Sequence, residues 1–116
     1  MTNEERQILK AELMKSGFWD DEEVGDPTAD DVAATALYYQ MECLLREGVY
    51  LNFSYDERDV RHQELCVRQG DFLYPFPQGE DRCEAICLAA LVLPKFLRLC
   101  PEFAAGPGNE SLSLTA

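Results

Sequence analysis

One histidine and three of the five cysteines fall at spacings that would suit a metal ion. His62 and Cys66 lie four apart on a stretch with strand-like alternation, and Cys83 and Cys87 lie four apart on a helical stretch, so each pair shares a face. Together they are the ligand types of a four-coordinate zinc site. The short C-x-x-C spacing that usually marks such sites is absent, and Cys87 sits among Ala85, Ile86, Leu88 and Ala89. Reduced thiols in an apolar core account for the same residues more simply. Nucleophilic chemistry at a cysteine would need a lowered thiol pKa and a positioned base, and His62 is the only histidine.

Carboxylates are the other chemistry-bearing group. Between Ser16 and Leu45 there are eight, with no Lys or Arg, and seven are Asp20, Asp21, Glu22, Glu23, Asp26, Asp30 and Asp31. Paired carboxylates can do acid–base work, but these crowd around Gly25 and Pro27 with no phosphate cradle, no Ser/His/Asp set and no basic substrate clamp. Their spacing also falls short of the ordered twelve-residue calcium loop. The expectation is therefore a protein that is not an enzyme and needs no cofactor. A charge run is commonly a solvated face. Here Phe18 and Trp19 abut the run and Tyr38 and Tyr39 follow it, and aromatics beside charge are what interfaces favour. The single sign of the charge suits steering toward a basic groove. The candidate partner-binding residues are Phe18, Trp19, Asp20, Asp21, Glu22, Glu23, Asp26, Tyr38 and Tyr39.

Composition agrees with a protein partner. The 116 residues fit one domain, and 47% apolar with 28% charged residues is a globular composition. Twenty-two acids against ten bases give a net charge of -12, which disfavours nucleic acid and anionic membrane surfaces and makes a basic protein surface the electrostatic complement. MTNEERQILK has no apolar signal region, the cysteines are odd in number, and the longest apolar run, Ala85 to Leu93, is nine residues. A cytoplasmic location with reduced thiols is expected.

These residues need elements to hold them. Thr2 and Glu5 form a capping box ahead of Ile8, Leu9, Leu13 and Met14, which predicts a helix over 3–16 stopped by Gly17. A loop carries the acidic run. Thr28 can cap a second helix over 29–47, with Asp30 and Asp31 in its first turn, Gly48 as its stop, and a stripe of Ala33, Leu37, Met41, Leu44 and Leu45 to lay on a sheet. Alternation from Val49 to Tyr55 marks a strand, DERD at 56–59 a turn, and two further strands follow at 60–68 and 71–75, the last limited by Pro75 and Pro77. A third helix starts near Glu80, kinks or restarts at Pro94, and is apolar on every side over AICLAALVL, so its second side must be covered by another helix or another subunit. The predicted fold is α+β, a three-stranded antiparallel sheet with two or three helices in the order α-α-β-β-β-α. It forms one domain over 1–100 and leaves a disordered tail over 101–116.

This order, and above all the segment GEDRCEAICLAALVL, resembles the small phage-derived domains called the phage alpha-beta-alpha sandwich family, which close with a similar apolar helix; the matching residues are Ala85, Ile86, Cys87, Ala89, Ala90 and Leu91, within a layout spanning 3–98. The resemblance implies a phage or prophage protein with no established activity, and the acidic segment lies outside the shared pattern. The leading expectation is an acidic, non-enzymatic binding module, in concrete form a nucleic-acid mimic that inhibits a host defence or nuclease complex. One alternative is a homo-oligomeric assembly protein joined through the third helix. The other is a small-molecule or metal-binding domain using His62, Cys66, Cys83 and Cys87.

Overall fold

The structure, a computed structural model, describes residues 2–17, 25–56 and 59–105, without the side chains of 54–62. Helix α1 (Asn3–Ser16) begins at Thr2, whose hydroxyl oxygen accepts from the Glu5 N–H at 3.1 Å. It ends at Gly17, which takes the left-handed conformation (φ 82°) and returns its N–H to Met14 O. Helix α2 (Asp31–Glu42) leads to strands β1 (Tyr50–Asp56), β2 (Asp59–Gln69) and β3 (Phe72–Pro75). Helix α3 (Arg82–Leu99) and a 3-10 turn (Pro101–Phe103) close the described chain. The sheet is antiparallel in the order β1-β2-β3, as expected for an α+β chain of this pattern.

Register assigns the sheet's faces. Leu51 pairs with Val67 and Phe53 with Leu65, while Tyr74 pairs with Val67 and Phe72 with Gln69, so these side chains share one face. Leu51, Leu65 and Val67 are buried there, and Tyr74 stacks on Phe96 of α3 with ring centroids 4.5 Å apart. Phe72, Phe96 and Phe103 continue the stack. The helical layer therefore covers this face.

Helix α3 is the hub of the core. It lies against β2 on one side and against α2 and α1 on others, which buries Cys83, Ala85, Ile86, Cys87, Ala89, Ala90, Leu93, Phe96 and Leu97. The cover that its all-round apolarity demanded comes from within the chain. Pro94 does not break it: a missing N–H costs one helical hydrogen bond, while Leu93, Phe96 and Leu97 on either side are all buried. Gly79 permits the close approach of the preceding segment. It exchanges two backbone hydrogen bonds with Gln63 (2.9 and 2.7 Å), and a Cβ at this position would stand 2.4 Å from Ala85 N.

Several boundaries differ from the sequence expectation. Helix α2 is capped by Asp30, whose carboxylate accepts from Val32 N–H, because the Thr28 hydroxyl is turned back to Asp26. It stops at Cys43 rather than Gly48, since the following backbone pairs with the chain's far end: Arg46 N–H donates to Phe103 O and Ala105 N–H to Leu44 O. Its buried stripe is Ala34, Leu37 and Met41, and α3, more than the sheet, receives it. Helix α3 starts at Arg82 with Asp81 as its cap, two residues after Glu80. The folded body also runs past position 100, because Phe103 is buried in the core and Ala104 bridges Leu45. The turn residues 57–58 and the tail from 106 on lie outside the described residues.

Candidate protein-binding surface

Helices α2 and α3 are parallel neighbours. At their N-terminal ends Asp31 meets Arg82 and Cys83, and past their C-terminal ends the 44–46 segment pairs with 103–105. Two positive dipole ends thus converge, which favours carboxylates there. Each described acid of the run serves this end of the fold. Asp26 accepts from both the N–H (2.9 Å) and the hydroxyl (2.6 Å) of Thr28 and pairs with Lys10 at 3.3 Å. Burial raises the Asp26 pKa, but those hydrogen bonds and the Lys10 ammonium outweigh it and hold the carboxyl below its ordinary value. Asp30 caps α2. Asp31 takes Arg82 at 3.6 Å and the Cys83 thiol at 3.4 Å. Across the gap Asp81 caps α3 through Glu84 N–H, and the Glu84 carboxylate accepts from Glu80 N–H. Phe18, Trp19, Asp20, Asp21, Glu22 and Glu23 lie outside the described residues.

The two tyrosines of α2 point apart. Tyr38 is half-buried, stacks parallel on Phe53 at 6.0 Å, and donates its hydroxyl to Leu51 O at 2.6 Å, filling an acceptor on the free edge of β1. Burial, and then the Glu42 carboxylate, raise its pKa. It is a structural residue. Tyr39 is 61% exposed, and on its side of the helix Val32 is 76% exposed, with Ala36 and Cys43 also exposed. The spacing 32, 36, 39, 43 makes one face. That face carries no charge: α2 has only Asp31, drawn toward Arg82, and Glu42. An uncharged stripe on a surface helix is unexpected in a chain of net charge -12.

The proposed metal ligands are not brought together. Cys66 pairs with Asn52 and Pro75 on the sheet face away from the helices, whereas Cys83 and Cys87 belong to α3 on the other side. The side chain of His62 lies outside the described residues. Among the described residues no three His, Cys, Asp or Glu side chains group so as to hold a metal ion. Burial pushes the Cys83 thiol up to about 11, with its hydrogen bond to Asp31 adding to the rise, and burial pushes Cys87 higher still. Both are core thiols in their neutral form. Among the described residues no helix is long and apolar enough to cross a membrane.

Sequence reasoning missed two residues of this region. Val32 was absent from the candidate set although it sits four before Ala36 and seven before Tyr39. Arg82 bridges three elements: its Nη2 donates to Thr35 Oγ1 at 2.7 Å, its Nη1 reaches Asp31, and its guanidinium lies 5.7 Å from the centroid of the Phe53 ring. The only hint in sequence was a lone base inside GEDRCE. The fold and surface define an α+β domain with a two-helix acidic end and an uncharged helical face beside it. Compared with protein-family models, curated proteins and solved structures, the chain finds no match in any of the three.

Proposed function

We propose that this chain is a non-enzymatic protein-binding module that meets a basic protein surface through the outer face of α2 and the acidic stretch leading into it. The observation that carries the reading is the exposed, uncharged stripe of Val32, Ala36, Tyr39 and Cys43, set directly after a segment of one-signed charge. An apolar and aromatic patch edged by charge has the anatomy of an interface, with the patch supplying buried area and the charge supplying steering. The carboxylates assigned here to the partner are Asp20, Asp21, Glu22 and Glu23; Asp26, Asp30 and Asp31 are engaged within the fold. In its concrete form, which leans on the resemblance to the phage alpha-beta-alpha sandwich family, the module is a phage or prophage inhibitor that occupies the nucleic-acid channel of a host defence or nuclease complex.

The test immobilises the tagged protein, exposes it to extract of host cells, and identifies what is retained. A basic, nucleic-acid-binding protein is expected, displaced by excess duplex DNA. Tyr39→Ala with Val32→Asp, or lysine at 20–23, should each lower retention at least tenfold. Retention unchanged by both sets of substitutions would remove the proposal.

A further inference from the structure

The β-sheet has a second face, and no described helix covers it. Tyr50, Asn52, Glu64, Cys66, Arg68, Leu73 and Pro75 share it by register, in the rows Tyr50–Arg68–Leu73 and Asn52–Cys66–Pro75. Tyr50 is 58% and Leu73 56% exposed, and Arg68 and Pro75 are exposed as well. Cys66 is 4% exposed yet stands outside the core cluster. It is sunk between strand neighbours, and its thiol donates to Asn52 O at 3.5 Å. A large tyrosine and a leucine flanking an arginine on an open sheet is more apolar surface than a solvated face requires.

We propose that this face docks a second copy of the same chain, sheet against sheet. Charge selects both the occupant and the geometry. The chain as a whole repels itself at net -12, but the described charges on this face are one acid and one base, Glu64 and Arg68. They flank Cys66 at equal distance along the central strand, about 13 Å from each other at ~3.3 Å per residue. In a two-fold dimer with the axis between the sheets, running across the strands at Cys66, β2 lies antiparallel to its mate. Each Arg68 then faces the partner's Glu64. An axis running along the strands would set Arg68 against Arg68 and Glu64 against Glu64, which like-charge repulsion disfavours. Stacked sheets sit ~10 Å apart with their strands about 30° from aligned. At that separation the two Cys66 residues exceed the ~7 Å Cα limit for a disulfide, so the association is independent of reducing agent. One face of a three-stranded sheet, with β3 only 4 residues long, makes a small interface by the measure of permanent dimers, so the dimer is reversible. It lies across the sheet from α2 and does not depend on the function proposed above.

Sedimentation velocity over a concentration series, in reducing buffer at about 0.1 M salt, tests this. The wild type should pass from monomer to dimer with rising concentration. Glu64→Arg and Arg68→Glu should each weaken dimerisation at least tenfold, and the double variant, which restores the cross-pairing, should recover to within threefold of wild type. Leu73→Asp should abolish it. Circular dichroism on each variant confirms folding, and recovery in the double variant is itself a result that a merely misfolded single variant would not produce. A wild type that stays monomeric at millimolar concentration overturns the proposal. So do single variants that dimerise as well as wild type, or a double variant that stays as weak as the singles.

Discussion

Gly79→Ala should be among the most damaging single-methyl changes in the chain, for a steric reason. Gly79 has no positive φ, so alanine can adopt its backbone conformation without intrinsic strain. Its Cβ would, however, stand 2.4 Å from Ala85 N, 2.9 Å from Ala85 Cα and 2.9 Å from Glu84 C. These are backbone atoms in the first turn of α3, and they cannot swing aside as a side chain would. Ordinary contact needs about 3.5 Å, so the 79 segment and α3 must separate by about 1 Å. Either α3 shifts within a closely packed core, at roughly 1–3 kcal/mol, or the two Gly79–Gln63 hydrogen bonds open, at about 1 kcal/mol each. We expect a loss of about 3 kcal/mol, which for a domain of this size lowers Tm by more than about 10 °C. Gly17→Ala is the control: its φ of 82° strains alanine, but nothing lies within 4 Å of the new methyl, so about 1 kcal/mol is expected. Urea denaturation followed by circular dichroism gives both values. Gly79→Ala within 0.5 kcal/mol of wild type, or no worse than Gly17→Ala, would refute the packing argument.

Asp26 should support stability above its ordinary value of 3.8, and that support should be lost as pH falls through its lower folded value. Asp26→Asn is therefore expected to cost about 1–2 kcal/mol at neutral pH and to flatten the acid limb of a stability–pH curve; an unchanged acid limb would count against the Thr28 and Lys10 contacts. Cys83 has the opposite sign. Its neutral thiol is favoured in the fold, so its contribution is complete below 9.0 and disappears as pH rises toward about 11, and Cys83→Ala should blunt alkaline destabilisation. Alkylation of the native protein read by mass spectrometry should modify exposed Cys43 first and leave Cys66, Cys83 and Cys87 protected until unfolding. Labelling of Cys87 at the rate of Cys43 would contradict the placement of α3. Tyr38→Phe should cost about 1 kcal/mol by leaving Leu51 O without its donor.

What could be read in advance was whatever local chemistry decides. Helix α1 was legible at both ends because Thr2, Glu5 and Gly17 are neighbours in sequence of the groups they satisfy. The three strands and their antiparallel order followed from alternation and turn residues. The end of α2 was not legible. Gly48 is a reasonable stop and does adopt a positive φ, but Leu44 and Arg46 take their backbone partners from 103–105, and no local signal announces a contact across that span. Phe103 was passed over for the same reason: a lone phenylalanine among Ala, Gly and Pro reads as tail until Phe72 and Phe96 are brought beside it. In the candidate site, the adjacent pair Tyr38 and Tyr39 was taken as one feature. On a helix, neighbours point about 100° apart, and the structure gives one to the core and one to solvent.

The acidic character of the chain also takes a different meaning from its placement. In the sequence Asp26 read as part of a loop's unneutralised charge and Asp30 and Asp31 as first-turn charges of the second helix; the fold sets these three beside Asp81 and Glu84. Each meets a backbone N–H, a thiol, a hydroxyl or a cation at the shared N-terminal end of α2 and α3. Parallel packing is what creates the demand. Two helices laid side by side in the same direction bring their unsatisfied N–H groups and positive dipole ends to one place, and antiparallel helices would have split that requirement between two ends. Arg82 prevents the assembled acids from repelling one another without relief, because it ties Asp31 and Thr35 of α2 to the first turn of α3. Arg82→Gln should therefore destabilise the fold by more than an exposed ion pair is worth, and Asp31→Asn should recover part of the loss by removing the charge left behind. Within the acidic stretch, Asp20, Asp21, Glu22 and Glu23, which precede these engaged carboxylates in sequence, are the ones the proposed interface would use.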